Sequence, residues 1–131
     1  MSQNRQLAEA EWDIMEGVWQ FARPVAVRDI HRHLYPNGEK AYTTVQTIMG
    51  ILTDKGFLHK EKSGMVNFFT PSLTRDDAAG FEARSMVSRV FHGSFGALAN
   101  FLVDSDEMSP KDLDRLKQLI DDKEQNEEGQ T

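Results

Sequence analysis

Hydrophobic and polar positions along the chain follow a helical period in most places and a strand period in one. Ala8, Trp12, Met15, Val18 and Trp19 recur three and four residues apart, which sets them on one face of a helix predicted from about Ala8 to Gln20. Arg23-Pro24 ends it. Val27, Ile30 and Leu34 share a side of a second helix, Val27 to Leu34, and Tyr35-Pro36-Asn37-Gly38 is a turn sequence. Val45, Ile48, Met49 and Leu52 form the buried stripe of a third helix, Thr43 to Lys55, with Gly56 where a C-terminal cap belongs. The period then drops to two. Residues 57–62 and 65–70 read as short strands joined by a tight turn at Ser63-Gly64, and Pro71 ends the second.

The second half returns to helical spacing. Thr74-Arg75-Asp76-Asp77 is a capping box with Asp in the Glu place. It opens a helix to about Phe91 with Ala83, Val87, Val90 and Phe91 on one face. His92-Gly93 interrupts, a helix through Leu98 and Phe101 follows, and Ser109-Pro110 starts a last helix striped by Leu113, Leu116 and Ile120. This order predicts a mainly α fold with a small β-hairpin wing: a winged helix-turn-helix over residues 1–72, a helical dimerisation domain over 73–123 and a disordered polar tail over 124–131. The helices after the hairpin are marginal alone. They either pack back on the winged helix or pair with a second copy through Val87, Val90, Phe91, Leu98, Phe101, Leu113, Leu116 and Ile120; a two-fold dimer also suits a palindromic operator.

Charge refines this division. The net charge is −6, yet residues 1–72 hold eight basic and eight acidic residues, whereas residues 73–131 hold seven and thirteen. The neutral half can still meet phosphates through local clusters, and the acidic half is expected to face away from DNA. There is no cysteine, so disulfides and thiolate sites are excluded. No apolar run approaches the roughly 18 residues of a membrane span, and no signal peptide is visible behind Met1. A cytoplasmic protein without membrane insertion is expected.

In a winged helix-turn-helix the third helix enters the major groove and the wing lies along the backbone. Removing buried Val45 leaves Tyr42, Thr43, Thr44, Gln46 and Thr47 for the outer face. Gln can hold adenine through two hydrogen bonds, Thr can bond a base or phosphate, and the Tyr hydroxyl can reach a phosphate; the same residues would also suit a solvated face. Lys60 and Lys62 project from one strand face, suited to phosphate or minor-groove contact or to guarding an edge strand. Arg28 and Arg32 share a face of the second helix with Asp29 near, so Arg28 contacts the DNA backbone or forms a surface ion pair. The four histidines lack metal-site spacing: His31 and His33 point apart on a helix, and there is no HExxH. No nucleophile motif, phosphate loop or dinucleotide fingerprint occurs, so no catalytic residue, cofactor or metal is expected.

Three segments in order carry a family resemblance. Leu7-Ala8-Glu9-Ala10-Glu11-Trp12-Asp13-Ile14-Met15, then Tyr42-Thr43-Thr44-Val45-Gln46-Thr47 with Leu52-Thr53-Asp54-Lys55-Gly56-Phe57, then Gly93-Ser94-Phe95 with Ala99-Asn100-Phe101, resemble the penicillinase-repressor and methicillin-resistance-regulator family (BlaI/MecI/CopY) from about Leu7 to Lys123. The resemblance implies a homodimeric repressor of a β-lactamase or related antibiotic-resistance operon, bound to a double-stranded DNA operator. It also implies release by cleavage at Asn100-Phe101, triggered by a membrane-bound sensor metalloprotease. Two departures stand out: Ala8 replaces the usual Ser or Thr cap, worth about 1 kcal/mol, and Thr43 and Gln46 stand where well-known members carry Lys or Arg. The cysteine-rich copper motif of one branch is absent. The alternatives are a winged-helix protein-interaction module and a ligand-sensing regulator without proteolytic control.

Overall fold

A computed structural model describes residues 6–129, which divide into two compact units, the first running to Ser85 and the second from Met86. Three helices open the first unit: α1 (Glu9–Gln20), α2 (Val27–Leu34) and α3 (Tyr42–Asp54). The hairpin β1 (Leu58–Ser63) and β2 (Val66–Pro71) follows, and then α4 (Arg75–Val90), inside which the division falls. Ile14, Met15, Val18, Val25, Ile30, Val45, Met49, Leu52, Phe57 and Phe69 form the core of this unit. The three helical stripes therefore meet on one centre, closed by the base of the hairpin. Ile14, outside the expected stripe, is fully buried because α1 packs against α2, α3 and β2.

Three local features position the reading surface. Ala8 is the N-cap of α1 and is exposed rather than inward. It has no side chain with which to cap, but its N–H donates to Glu11 Oε1 at 2.7 Å, so a first-turn carboxylate holds the helix start. At the end of α3, Gly56 has φ +85°, Phe57 N–H bonds Leu52 O at 2.9 Å and Gly56 N–H bonds Thr53 O at 3.1 Å. This is a Schellman end, which turns the chain directly into β1. Val25 then pairs with Phe69 through bonds of 3.0 and 2.7 Å, an isolated bridge on the far side of β2 that sequence spacing did not show.

The hairpin turn is Gly64-Met65, one residue later than expected, with Ser63 paired to Val66. Gly64 carries the positive φ of 62° and Met65 does not, the arrangement of a glycine-first two-residue turn. Thr74, just ahead of α4, caps it, its Oγ1 accepting Asp77 N–H at 3.0 Å. The start of α4 is tied to α1 by Trp19 Nε1 donating to Leu73 O at 3.1 Å and by Arg75 against Glu16 at 2.8 Å. The Arg75 hydrogen bond holds the Glu16 carboxyl below its usual range. Ala78 enters the core, whereas Ala83, expected on the inward face, is exposed. The apolar stripe of α4 thus follows Ala78 rather than Ala83.

In the second unit, His92 and Gly93 have φ of 51° and 83°, which breaks the helix as their sequence indicated. The helices α5 (Phe95–Asp104) and α6 (Pro110–Glu128) follow. Ser94 Oγ accepts Ala97 N–H at 3.0 Å and Ser109 Oγ accepts Asp112 N–H at 3.1 Å, so both start on serine caps. The last helix does not end at Lys123. It continues to Glu128, because Glu, Gln and Lys are good helix formers even where they bury nothing. The disordered tail expected over 124–131 is therefore helical to Glu128; Gln130 and Thr131 lie outside the described residues.

Candidate nucleic-acid interface

The outer surface of α3 is polar where its inner surface is apolar. Val45, Met49 and Leu52 are fully buried, and Tyr42, Thr43, Thr44, Gln46 and Thr47 are all exposed. All five expected reading residues therefore stand on solvent on one helix whose opposite side is locked into the core. Ile51 is also exposed on this helix, and no neighbouring atom lies near the Cβ position of Gly50.

Lys60 and Lys62 are exposed on β1, opposite Phe69 and Asn67 respectively. Their strand face is the one that buries Leu58 and Phe69 at its base, so the cations occupy its outer end, toward the Gly64-Met65 tip. The other face carries His59 and Glu61, 3.7 Å apart. Neither lysine forms an ion pair among the described residues.

Arg28 also lies exposed and without an ion pair among the described residues. The expected competitor is otherwise engaged: Asp29 Oδ2 accepts Ala26 N–H at 2.9 Å and pairs with Arg23 at 3.4 Å. The Ala26 hydrogen bond, with Arg23 and the nearby charge of Arg28 adding to it, holds the Asp29 carboxyl below its usual range. Between α2, the start of α3 and β2 lies a pocket of about 380 Å³ lined by Ala26, Arg28, His31, Arg32, Tyr42 and Val66. Sequence reasoning noted Arg32 beside Arg28 but did not assign it to a site. The signal was present in the four-residue spacing, and the missing information was where Tyr42 sits. Two of the four histidines make hydrogen bonds at this end of the unit: His31 Nε2 bonds Lys40 O at 2.8 Å, and His33 Nε2 bonds Gln20 Oε1 at 2.6 Å. No group of three or more metal-ligating side chains occurs among the described residues.

In the second unit Val87 is buried, and Phe91, Leu98, Leu113 and Leu116 are half-buried. Val90, Phe101 and Ile120 are 56%, 59% and 50% exposed, as are Phe95 and Val103 to a similar extent. Phe91 and Phe101 pack with ring centroids 6.0 Å apart. Asn100 is exposed in the body of α5.

The sequence pattern of the family described as penicillinase repressor matches residues 7–122. The chain belongs to the penicillinase repressor family. Its relatives are transcriptional repressors rather than enzymes. The penicillinase repressor of Bacillus licheniformis is 22% identical over 117 residues, covering 89% of this chain and 91% of that one. The transcriptional regulator BlaI of Mycobacterium tuberculosis is 27% identical over 104 residues, 78% of this chain and 75% of its own. Among solved structures, the DNA-binding domain of the repressor BlaI superposes with a TM-score of 0.51 at 26% identity, covering 59% of this chain and 93% of that one. The fold is thus the winged helix of these repressors. Among the described residues no helix is long and apolar enough to cross a membrane.

Proposed function

We propose that the chain is a homodimeric cytoplasmic repressor. It holds a palindromic double-stranded DNA operator with Tyr42, Thr43, Thr44, Gln46 and Thr47 in the major groove and with Arg28, Lys60 and Lys62 on the backbone. One observation carries this reading: the polar face of α3 and the cations Arg28 of α2 and Lys60 and Lys62 of β1 lie exposed on one compact unit, and none of these cations forms an ion pair among the described residues. The family's repressors and the DNA-binding domain matched above support it. Phosphate contacts fix position and the side chains of α3 read the bases.

Dimerisation falls to residues 73–123. Val90, Phe95, Phe101, Val103 and Ile120 leave a large apolar surface in water, and burying each such side chain is worth roughly 1.5–3 kcal/mol. A second copy of an acidic, apolar-striped segment can cover it, and joining two half-sites raises affinity through effective concentration. Release would follow cleavage at Asn100-Phe101 by a membrane-bound sensor metalloprotease, in the setting of a β-lactamase-like or sensor-protease operon. Because this bond lies within α5, the helix must open locally before a protease can hold it extended, so its accessibility depends on local unfolding.

A gel-retardation titration on a palindromic promoter fragment tests the reading. Binding whose affinity falls steeply with salt is expected. Absence of any retarded species at low salt would overturn it in favour of a protein-interaction role.

A further inference from the structure

Arg28 and Arg32 stand one turn apart on α2, so their guanidiniums share a face. Neither makes a hydrogen bond or ion pair among the described residues. Two like charges at this spacing weaken a helix slightly, although Arg32, in the last turn of α2, also suits the negative end of the helix dipole. The pocket they line contains no carboxylate: its remaining walls are Ala26, His31, Tyr42 and Val66. Asp29, the nearest acid in sequence, is engaged by Ala26 N–H and Arg23. Tyr42 is 46% exposed and its hydroxyl makes no hydrogen bond among the described residues.

The two walls are also held together before anything binds. His31 Nε2 contacts Lys40 O at 2.8 Å, just ahead of α3, and the His31 ring meets the Tyr42 ring edge-on at 5.9 Å. A site whose parts are already in place loses little ordering entropy on binding.

We infer that Arg28, Arg32 and the Tyr42 hydroxyl form one seat for a single phosphate of the DNA backbone, with His31 as a positioning residue that holds Tyr42 against α2. The inference rests on the DNA-binding reading above and deepens it. Two forked guanidiniums and a hydroxyl match the oxygens of a phosphodiester, and arginine forks bind phosphate in two-pronged geometry. Because Tyr42 is the first residue of α3, a phosphate held here anchors the entering end of that helix and sets its register along the groove.

The test uses the full-length chain and a duplex that it selects from a random-sequence pool. Neutral methylphosphonates then replace single phosphates of that duplex, one per half-site at a time. Arg32→Ala is expected to weaken binding about tenfold on the unmodified duplex, equally for all sequences, and to lower the salt slope by about 1. At one methylphosphonate position the losses from Arg28→Ala and Arg32→Ala should both vanish. His31→Ala should weaken binding without changing the salt slope, and its loss should shrink on that same modified duplex. Arg32→Gln, a second variant with the same readout, covers a failure of Arg32→Ala to fold.

Losses that persist on every modified duplex overturn the seat, as does an Arg32→Ala chain of wild-type affinity and slope while Gln46→Ala still relaxes base preference. If the wild-type chain selects no duplex at all, it is the DNA-binding reading that fails.

Discussion

Lys55 Nζ lies 2.9 Å from Glu11 Oε1, joining the C-terminal end of α3 to the first turn of α1. The same carboxylate oxygen accepts Ala8 N–H at 2.7 Å, and Lys55 also donates to Gln6 O at 3.3 Å. One residue further, Leu7 N–H donates to Glu82 Oε1 of α4 at 2.7 Å. A single buried acid thus replaces the missing N-terminal cap of α1 and also fixes the far end of the reading helix.

Replacing Glu11 should therefore cost more than a surface ion pair does. Glu11→Ala removes both bonds and leaves a partly buried ammonium without its partner, a loss of about 1–3 kcal/mol. Glu11→Gln keeps an acceptor and should lose less. Urea unfolding midpoints measure both. Equal midpoints for wild type and Glu11→Ala would show that solvent replaces the pair in full.

Asp29 sets the acid side of the stability curve at α2. Its carboxyl is depressed first by the Ala26 hydrogen bond and then by Arg23. A depressed carboxylate contributes stability that is present above its unfolded value and is lost as pH falls through the folded value. Stability should thus decline below about pH 4, and Asp29→Asn should flatten that decline. Asp29→Ala should cost about 1 kcal/mol at neutral pH through the lost cap. Thermal melts from neutral pH to pH 3 compare the slopes, and identical slopes for wild type and Asp29→Asn would refute the assignment.

Gln46 is exposed on α3, beside the stripe that buries Val45, Met49 and Leu52. Gln46→Ala should weaken operator binding by about 1–3 kcal/mol and relax preference at one base pair. Footprints on single-base operator variants read this out. A variant with unchanged affinity and preference would remove α3 as the reader.

Lys60 and Lys62 should act without regard to sequence. Their double replacement by Ala is expected to weaken binding to all duplexes equally and to reduce the salt slope by up to about 2. A slope that stays the same would leave them the task of guarding the edge of β1 against other strands.

A chain ending at Asn100 loses the last turn of α5, from Phe101, and all of α6. It should sediment as a monomer and release the operator, with α3 unaltered. A tight dimer with full-length affinity would exclude cleavage at this bond as the switch.

The helices, the hairpin and the polar face of α3 were legible in the sequence. Each follows from the alternation of apolar and polar residues over a few neighbours, as in Val45, Met49 and Leu52, and from local breakers such as Pro24, Gly56 and His92-Gly93. The serine caps of α5 and α6 were equally local, since cap and partner lie three residues apart. What needed the tertiary structure were pairings across long stretches of chain. The Val25–Phe69 bridge joins residues that share no periodic pattern. The Glu11–Lys55 bond repairs a helix start that looks uncapped when read alone. Whether Arg28 pairs with Asp29 depended on side-chain direction, and Asp29 turns out to be taken by Ala26 and Arg23. The pocket of Arg28, Arg32, His31 and Tyr42 forms because the turn after α2 folds the start of α3 back against it. Spacing along a chain orders the faces of an element, but only packing decides which faces meet.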